Sequence, residues 1–203
     1  MFLAIQHYCD LLTQLFDNIS EERKQLLQKI SIYITQQNEK NIPIQLVYVC
    51  THNSRRSHFG QIWAAVAANY YAIKNVYTFS GGTEATTFNI NAITALQKIG
   101  FDIKTQDQIT NPIYTIRFGE NESIKCFSKV YNDAVNPSEN FAAIMTCSDA
   151  EQNCPFIAGV DLRIGTTYND PKAYDNTPKQ DDAYAERLEQ IALECLYVFS
   201  LVK

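Results

Sequence analysis

Apolar residues first recur at helical spacing. Ile5, Cys9, Leu12 and Phe16 share one face, and Leu26, Leu27, Ile30 and Ile34 form a second stripe. Ser20 followed by Glu21 and Glu22 is a good helix start, with a capping hydroxyl and acidic groups at the positive end of the dipole. Residues 1–42 therefore read as a helical pair. The pattern then changes to a continuous apolar run, Ile44–Cys50, which predicts a buried first strand. Helical spacing returns with Phe59, Ile62, Trp63, Val66 and Tyr70, and Val76–Ser80 reads as a second strand. Gly81-Gly82-Thr83 follows as a loop able to approach the end of the first strand. Asn89 caps a helix with Ile90, Ile93, Leu96 and Ile99 inward and Gly100 as its stop.

Residues 113–131 read as a β-hairpin, Ile113–Phe118 and Ile124–Tyr131 around Gly119-Glu120-Asn121-Glu122-Ser123, extending the edge of the sheet. Another apolar strand starts at Phe141 and ends in Cys147. Thr177, Pro178 and Gln180 fit a capping box opening the last helix. Its Tyr184, Leu188, Ile191, Cys195 and Val198 face inward. Cys9, Cys126 and Cys195 fall on apolar faces and read as core residues. Strands alternating with helices give an α/β fold, a mainly parallel sheet flanked by helices. The helical pair is an N-terminal extension to it and the hairpin an insertion. With 203 residues, one domain spanning 1–203 is expected.

The chemistry concentrates where the first strand ends. Cys50 is followed by Thr51, His52, Asn53, Ser54 and Arg55, then by Arg56 and Ser57 at the next helix start. A strand, a tight loop and a helix N-terminus aim backbone N–H groups and a positive dipole end at one point, which makes an anion site. A thiol of ordinary pKa, about 8.5, is only about 3% thiolate at pH 7, so complete ionisation gains roughly thirtyfold in rate. Holding an oxyanion must supply the rest. Arg56 suits that task because a planar guanidinium grips two oxygens at once. One preorganised donor of this kind is worth about 3–4 kcal/mol. Ser57 is placed to hydrogen-bond the sulfur, and Asn53 to brace the loop.

Two further segments carry candidate chemistry. Cys147-Ser148-Asp149-Ala150-Glu151-Gln152-Asn153-Cys154-Pro155 sets two cysteines on either side of a polar loop. A structural zinc site is disfavoured, since the chain has three histidines and no paired C-x2-C knuckle. Tyr168-Asn169-Asp170-Pro171 places an aspartate before proline ahead of the last helix, a frequent turn signal.

Net charge is −5, which argues against a general nucleic-acid or anionic-membrane binder. An acidic protein that binds an oxyanion must gather positive charge locally, and Arg55, Arg56, His52 and the helix end are the groups that do so. No segment approaches the roughly 20 apolar residues of a membrane span. The N-terminus lacks a secretory pattern. A cytoplasmic location follows as an expectation, with the six cysteines mostly reduced and any disulfide transient.

The Cys50-to-Arg56 spacing with Ser57 next, at the end of the first strand, resembles the phosphate-binding loop of the low-molecular-weight protein tyrosine phosphatase superfamily. The Cys147–Cys154 segment resembles the redox segment of the thioredoxin-coupled arsenate reductases within it, and Phe88–Ala92 through Gly100–Ile103 resembles their second helix. The resemblance spans roughly Ile44–Ile103 and Phe141–Lys203. It implies a low-molecular-weight phosphatase-like fold with Cys50 as nucleophile, Thr51 to Arg55 as the oxyanion-binding loop, Arg56 as its clamp, Ser57 beside the sulfur and Asp170 as general acid. It further implies a Cys50–Cys147–Cys154 thiol/disulfide relay reducing arsenate, no bound cofactor or metal, and thioredoxin as electron donor.

A phosphatase acting on a phosphotyrosine protein or a small aryl phosphate through a phosphocysteine uses the same loop and acid. That reading stays open, as does a non-enzymatic oxyanion or redox sensor. Tyr168 and Tyr174 are candidates for the aromatic rim such a phosphatase needs. Three departures from the pattern stand out. His52 replaces the usual glycine, Arg55 a frequent cysteine, and Gln61 a carboxylate that in some reductases helps hold potassium.

Overall fold

The computed structural model describes residues 1–105, 109–153 and 157–202. The main sheet has four strands in the order β2-β1-β6-β7: β2 is Val76–Gly82, β1 Ile44–Cys50, β6 Phe141–Met145 and β7 Val160–Gly165. All three pairings are parallel. From β1 the chain goes to β2 on one side and later returns to β6 on the other. The strand order therefore reverses beside β1, and the carboxyl end of such a strand is where open α/β sheets bind ligands. Two helices precede β1, α1 (Leu3–Thr13) and α2 (Glu21–Glu39). Between β1 and β2 runs α3 (Arg56–Tyr70), after β2 comes α4 (Ile90–Ile99), after β6 the short α5 (Ser148–Asn153), and last α6 (Gln180–Ser200).

The period-2 rule sorts β1 between two cores. Ile44, Leu46 and Tyr48 join the larger apolar cluster, to which α1, α2, α3, α4 and α6 all contribute. Val47 and Val49 join a smaller one with Ala143, Met145 and Cys147, and so does Cys50, where the strand ends and the alternation stops. Both faces are buried, as a parallel sheet requires, but the helices are distributed unevenly, with α5 alone contributing to the second cluster. The α1 helix belongs to the core: Ile5, Cys9 and Leu12 are buried, and Tyr8 lies against Trp63 at 5.6 Å. Each such aliphatic burial is worth about 1.5–3 kcal/mol. Gly60 lets α3 settle onto β1, since a Cβ there would meet the Tyr48 ring at 2.2 Å.

The caps at Ser20 and Asn89 form where the sequence puts them. Ser20 Oγ accepts from the Arg23 N–H, and Asn89 Oδ1 accepts from those of Asn91 and Ala92. Gly100 ends α4 at φ 117°. Ile90 does not face inward: as the first residue of α4 it is 65% exposed, and Ala92, Ile93, Ala95 and Leu96 make the buried face. The α6 helix begins later than the Thr177 cap predicts. Thr177 Oγ1 accepts from the Lys179 N–H and Gln180 Oε1 from that of Asn176, so the box closes a turn ahead of the helix.

The hairpin also differs. Its strands are β4 (Tyr114–Arg117) and β5 (Ser123–Cys126), shorter than the sequence suggests. They form a separate antiparallel sheet with β3 (Asp102–Lys104) rather than extending the main one. The strand stops at Cys126 because Asn111 takes over from the ladder, its amide bonding both the N–H and the C=O of Ser128. Val130, expected on that strand, instead forms a parallel bridge with Gly82 of the main sheet.

Candidate active site

Cys50 is the last residue of β1, and Arg56 the first of α3. The loop between them is tied down from outside. Carbonyl oxygens of Cys50 and Thr51 accept from the N–H groups of Thr83 and Glu84. The Thr86 and Ser128 hydroxyls donate to His52 O, and Asn89 N–H to Ser54 O. With its carbonyls turned outward, the loop's opposite peptide edges, the N–H groups, turn inward. N–H groups gathered in this way suit an anion. Gly82 makes the clamp possible, since a Cβ there would lie 2.4–2.7 Å from Glu84 O, Thr51 O and Asn53 N.

Asn53 sits at φ 43°, in the left-handed region that asparagine tolerates. Its Oδ1 accepts the Lys129 backbone N–H at 2.9 Å, which fixes the amide and points Nδ2 at Ser57 Oγ, 2.8 Å away. Ser57 is thus an acceptor toward Asn53, so its own proton is free for Cys50 Sγ at 3.1 Å. A chain of donors thus runs from the Lys129 N–H through Asn53 and Ser57 to the Cys50 sulfur. Asn53, Ser57 and Cys50 are all essentially inaccessible to solvent.

Both loop arginines are buried and both meet carboxylates. Arg56 donates through Nη1 to Tyr168 O at 2.9 Å and through Nη2 to Asp170 Oδ2 at 2.6 Å. Asp170 Oδ1 meanwhile caps the turn Pro171–Tyr174 by accepting the Lys172 N–H. Asp170, Arg56 and the Cys50 loop are therefore contiguous. The Arg55 side chain leaves the loop, donating to Tyr184 OH at 2.7 Å and to Asp175 at 3.3 Å. Its charge is shared between Asp175 and, at 4.0 Å, Asp170, so Arg55 faces the same carboxylate as Arg56. His52 is partly exposed, 3.8 Å from Glu84. Of the two rim candidates, Tyr174 is exposed on its turn. Tyr168 is buried, its OH donating to Glu194.

Cys147 stands just past β6, and the β1–β6 register pairs Val49 with Met145. Cys50 and Cys147 thus lie one and two residues beyond a paired position, on strands about 4.8 Å apart. Cys147 Sγ accepts from the Ala150 N–H at 3.3 Å and lies 3.4 Å from Thr51 Oγ1, so loop and second thiol touch. Cys154 lies outside the described residues. The other described thiols are different: burial pushes Cys9, Cys126 and Cys195 up to about 12. They belong to the core.

Behind the loop lies a network that the sequence did not reveal. Gln61 donates to the carbonyls of Thr78 and Lys125, and its Oε1 accepts the Ser80 hydroxyl at 2.7 Å. Ser80 has then spent its proton, so His58 Nδ1, 3.2 Å away, carries the hydrogen between them. Burial and the nearby Lys129 push His58 well below its ordinary pKa, keeping it neutral. Gln61 is satisfied by neutral partners, and no group of three or more His, Cys, Asp or Glu able to hold a metal occurs among the described residues. Among them, no helix is long and apolar enough to cross a membrane.

The second missed element is Arg23. From α2 it grips Glu194 with Nε and Nη2 at 3.0 and 2.7 Å, donates to Thr166 O and lies over the Tyr168 ring at 4.9 Å. Tyr168 in turn holds Arg56. The N-terminal extension thereby reaches Arg56 through Tyr168. A lone arginine among helix-surface residues gave no sign of this.

No family model matches the chain. It is 25% identical over 143 residues to an arsenate reductase of Bacillus subtilis (strain 168), covering 70% of this chain and 85% of that protein. The fold is similar to that of a YwlE mutant from Bacillus subtilis, with TM-score 0.54 and 14% identity over 77% of this chain and 97% of that one. It is also similar to a low-molecular-weight phosphotyrosine phosphatase from Vibrio cholerae O395, with TM-score 0.51 and 14% identity over 77% and 95%. The coverage leaves part of this chain unmatched while nearly all of each solved structure is accounted for. The chain thus shares its parallel-sheet fold with a low-molecular-weight phosphotyrosine phosphatase and is similar in sequence to an arsenate reductase.

Proposed function

We propose that the protein reduces arsenate to arsenite. The observation that carries this reading is the contact of Cys147 Sγ with Thr51 of the loop, at the end of the strand beside the nucleophile's own. Simple hydrolysis has no use for a second thiol there. Cys50 Sγ attacks arsenic held by Arg56 and the loop N–H groups. Oxyanion binding draws Arg56 away from Asp170, leaving Asp170 to protonate the departing oxygen as water. Cys147 then attacks Cys50 Sγ. The S–As electron pair goes to arsenic, which leaves as arsenite, and a Cys50–Cys147 disulfide forms. Cys154 attacks Cys147, releasing Cys50 and leaving a Cys147–Cys154 disulfide for thioredoxin to reduce. The test is NADPH oxidation with arsenate, thioredoxin and its reductase. Turnover should vanish in Cys50→Ser and Cys147→Ser, and Cys154→Ser should stop after about one turnover. Sustained turnover in Cys154→Ser would overturn the three-thiol relay.

The pairing of Asp170 with Arg56 favours a second reading, hydrolysis of a phosphotyrosine protein or small aryl phosphate through a phosphocysteine. There Cys147 is dispensable, and Cys147→Ser should keep aryl phosphate hydrolysis. A large loss with an unaltered fold would refute it.

A further inference from the structure

A second cationic feature lies on the far side of Asn53, away from the nucleophile. Between β2 and the hairpin runs a groove of about 520 Å³, within the usual size of small-molecule sites. Its walls are apolar, with Phe79, Ile124 and Phe127 prominent. Lys129 and Gln61 also line it, each 3% exposed. Gln61 is fully engaged, as described above. Lys129 is not. Among the described residues its ammonium meets one acceptor, Phe127 O at 3.5 Å, and rests on the Phe127 ring at 4.5 Å. Three N–H donors sharing one distant carbonyl is poor solvation for a buried cation. Thr78 Oγ1, on the same groove, is buried without a partner.

No carboxylate is among the described lining residues, although the chain carries five more acidic than basic groups. Lys125 adds a second positive charge among them. Groups facing Lys129 from neighbouring segments are Cys126, Asp133 and His58, none of which hydrogen-bonds it. Burial lowers the Lys129 pKa, while Cys126 and Asp133 oppose that shift.

We propose that this groove binds a small amphipathic organic anion. A carboxylate or sulfonate head is held by Lys129, and an aromatic or aliphatic body lies against Phe79, Ile124 and Phe127. The head supplies the acceptors Lys129 lacks, and the body covers the exposed apolar walls. The site is separate from the Cys50 loop, though the Lys129 backbone N–H holds Asn53 from behind.

The test is a fluorescence titration with 8-anilinonaphthalene-1-sulfonate in the presence of saturating inorganic phosphate, which fills the loop. One saturable site per chain, unaffected by phosphate, is expected. Lys129→Met should weaken it at least about tenfold, the value of one charge-assisted hydrogen bond. Val135 is 59% exposed at the groove, so substitution there leaves the fold alone. Val135→Asp should weaken binding and Val135→Lys strengthen it, which keeps the proposal testable should Lys129→Met fail to fold. Displacement of the probe by phosphate, or equal affinity for the two Val135 variants, would overturn it.

Discussion

Replacing Arg23 by methionine tests whether the N-terminal extension is wired to the clamp. The substitution leaves the Glu194 carboxylate, its side chain 5% exposed, without its bidentate partner. Stripping one member from a buried ion pair costs about 3–5 kcal/mol. The low end applies, because Arg23 itself is about one-fifth exposed and Glu194 keeps the Tyr168 hydroxyl at 2.7 Å. Burial, then the nearby Glu194, raises the Tyr168 phenol well above its ordinary pKa, so that hydroxyl stays protonated and remains a donor. A loss of about 3 kcal/mol lowers Tm by about 6–12 °C in a chain of this size. Thermal unfolding of Arg23→Met, Glu194→Leu and the double variant measures the coupling. The double variant should lose clearly less than the sum of the single losses, because removing both partners leaves no buried charge unpaired, although the Tyr168 hydroxyl loses its acceptor. Additive losses would show that the pair is uncoupled and refute the reasoning. A second readout separates wiring from stability: Arg23→Met should weaken phosphate binding at temperatures where it is fully folded, because Tyr168 O no longer fixes Arg56.

Asn53→Ala should lower turnover on any substrate by at least about tenfold, from the lost buried hydrogen bonds to Ser57 and Lys129 N–H and the strained φ; steady-state kinetics check this, and Asn53→Gly, which restores φ without the bonds, should not rescue it. Asp170→Asn should slow cleavage of phenyl phosphate by about 10²–10⁴-fold but that of 4-nitrophenyl phosphate far less, because only the poorer leaving group needs the proton; equal losses would remove Asp170 from the acid role. His58 gives a pH signature. Its folded pKa lies below the unfolded value of about 6.5, so unfolding takes up a proton below that pH, and stability falls there by about 1.4 kcal/mol per pH unit. Denaturant unfolding between pH 7.5 and 5 should show this slope in the native protein and a shallower one in His58→Phe.

Local signals were legible in the sequence and tertiary ones were not. The buried strand into Cys50, the helix from Arg56 and the caps at Ser20, Asn89 and Gly100 rest on spacing and short-range hydrogen bonds, which neighbouring residues determine. Ser57 beside the sulfur follows from the same few residues. The Asn53 brace depends on Lys129, 76 positions away, and the Arg23–Glu194 pair on 171. No local pattern encodes such partners. Tyr168 read as a rim aromatic because a tyrosine near an active-site aspartate is ambiguous until its hydroxyl finds Glu194. The hairpin was visible, but its third strand was not, because Asp102–Lys104 is too short to show a period.

The 171-position span between Arg23 and Glu194 has a consequence during synthesis. At about 5–20 residues per second, Arg23 leaves the ribosome about 10–30 s before Glu194 exists. Through that interval the apolar stripes of α1 and α2 have no α6 to cover them. Those stripes therefore stay uncovered by α6 until the last helix is made, and a slow codon run after the first forty residues would lengthen the exposure rather than help the fold.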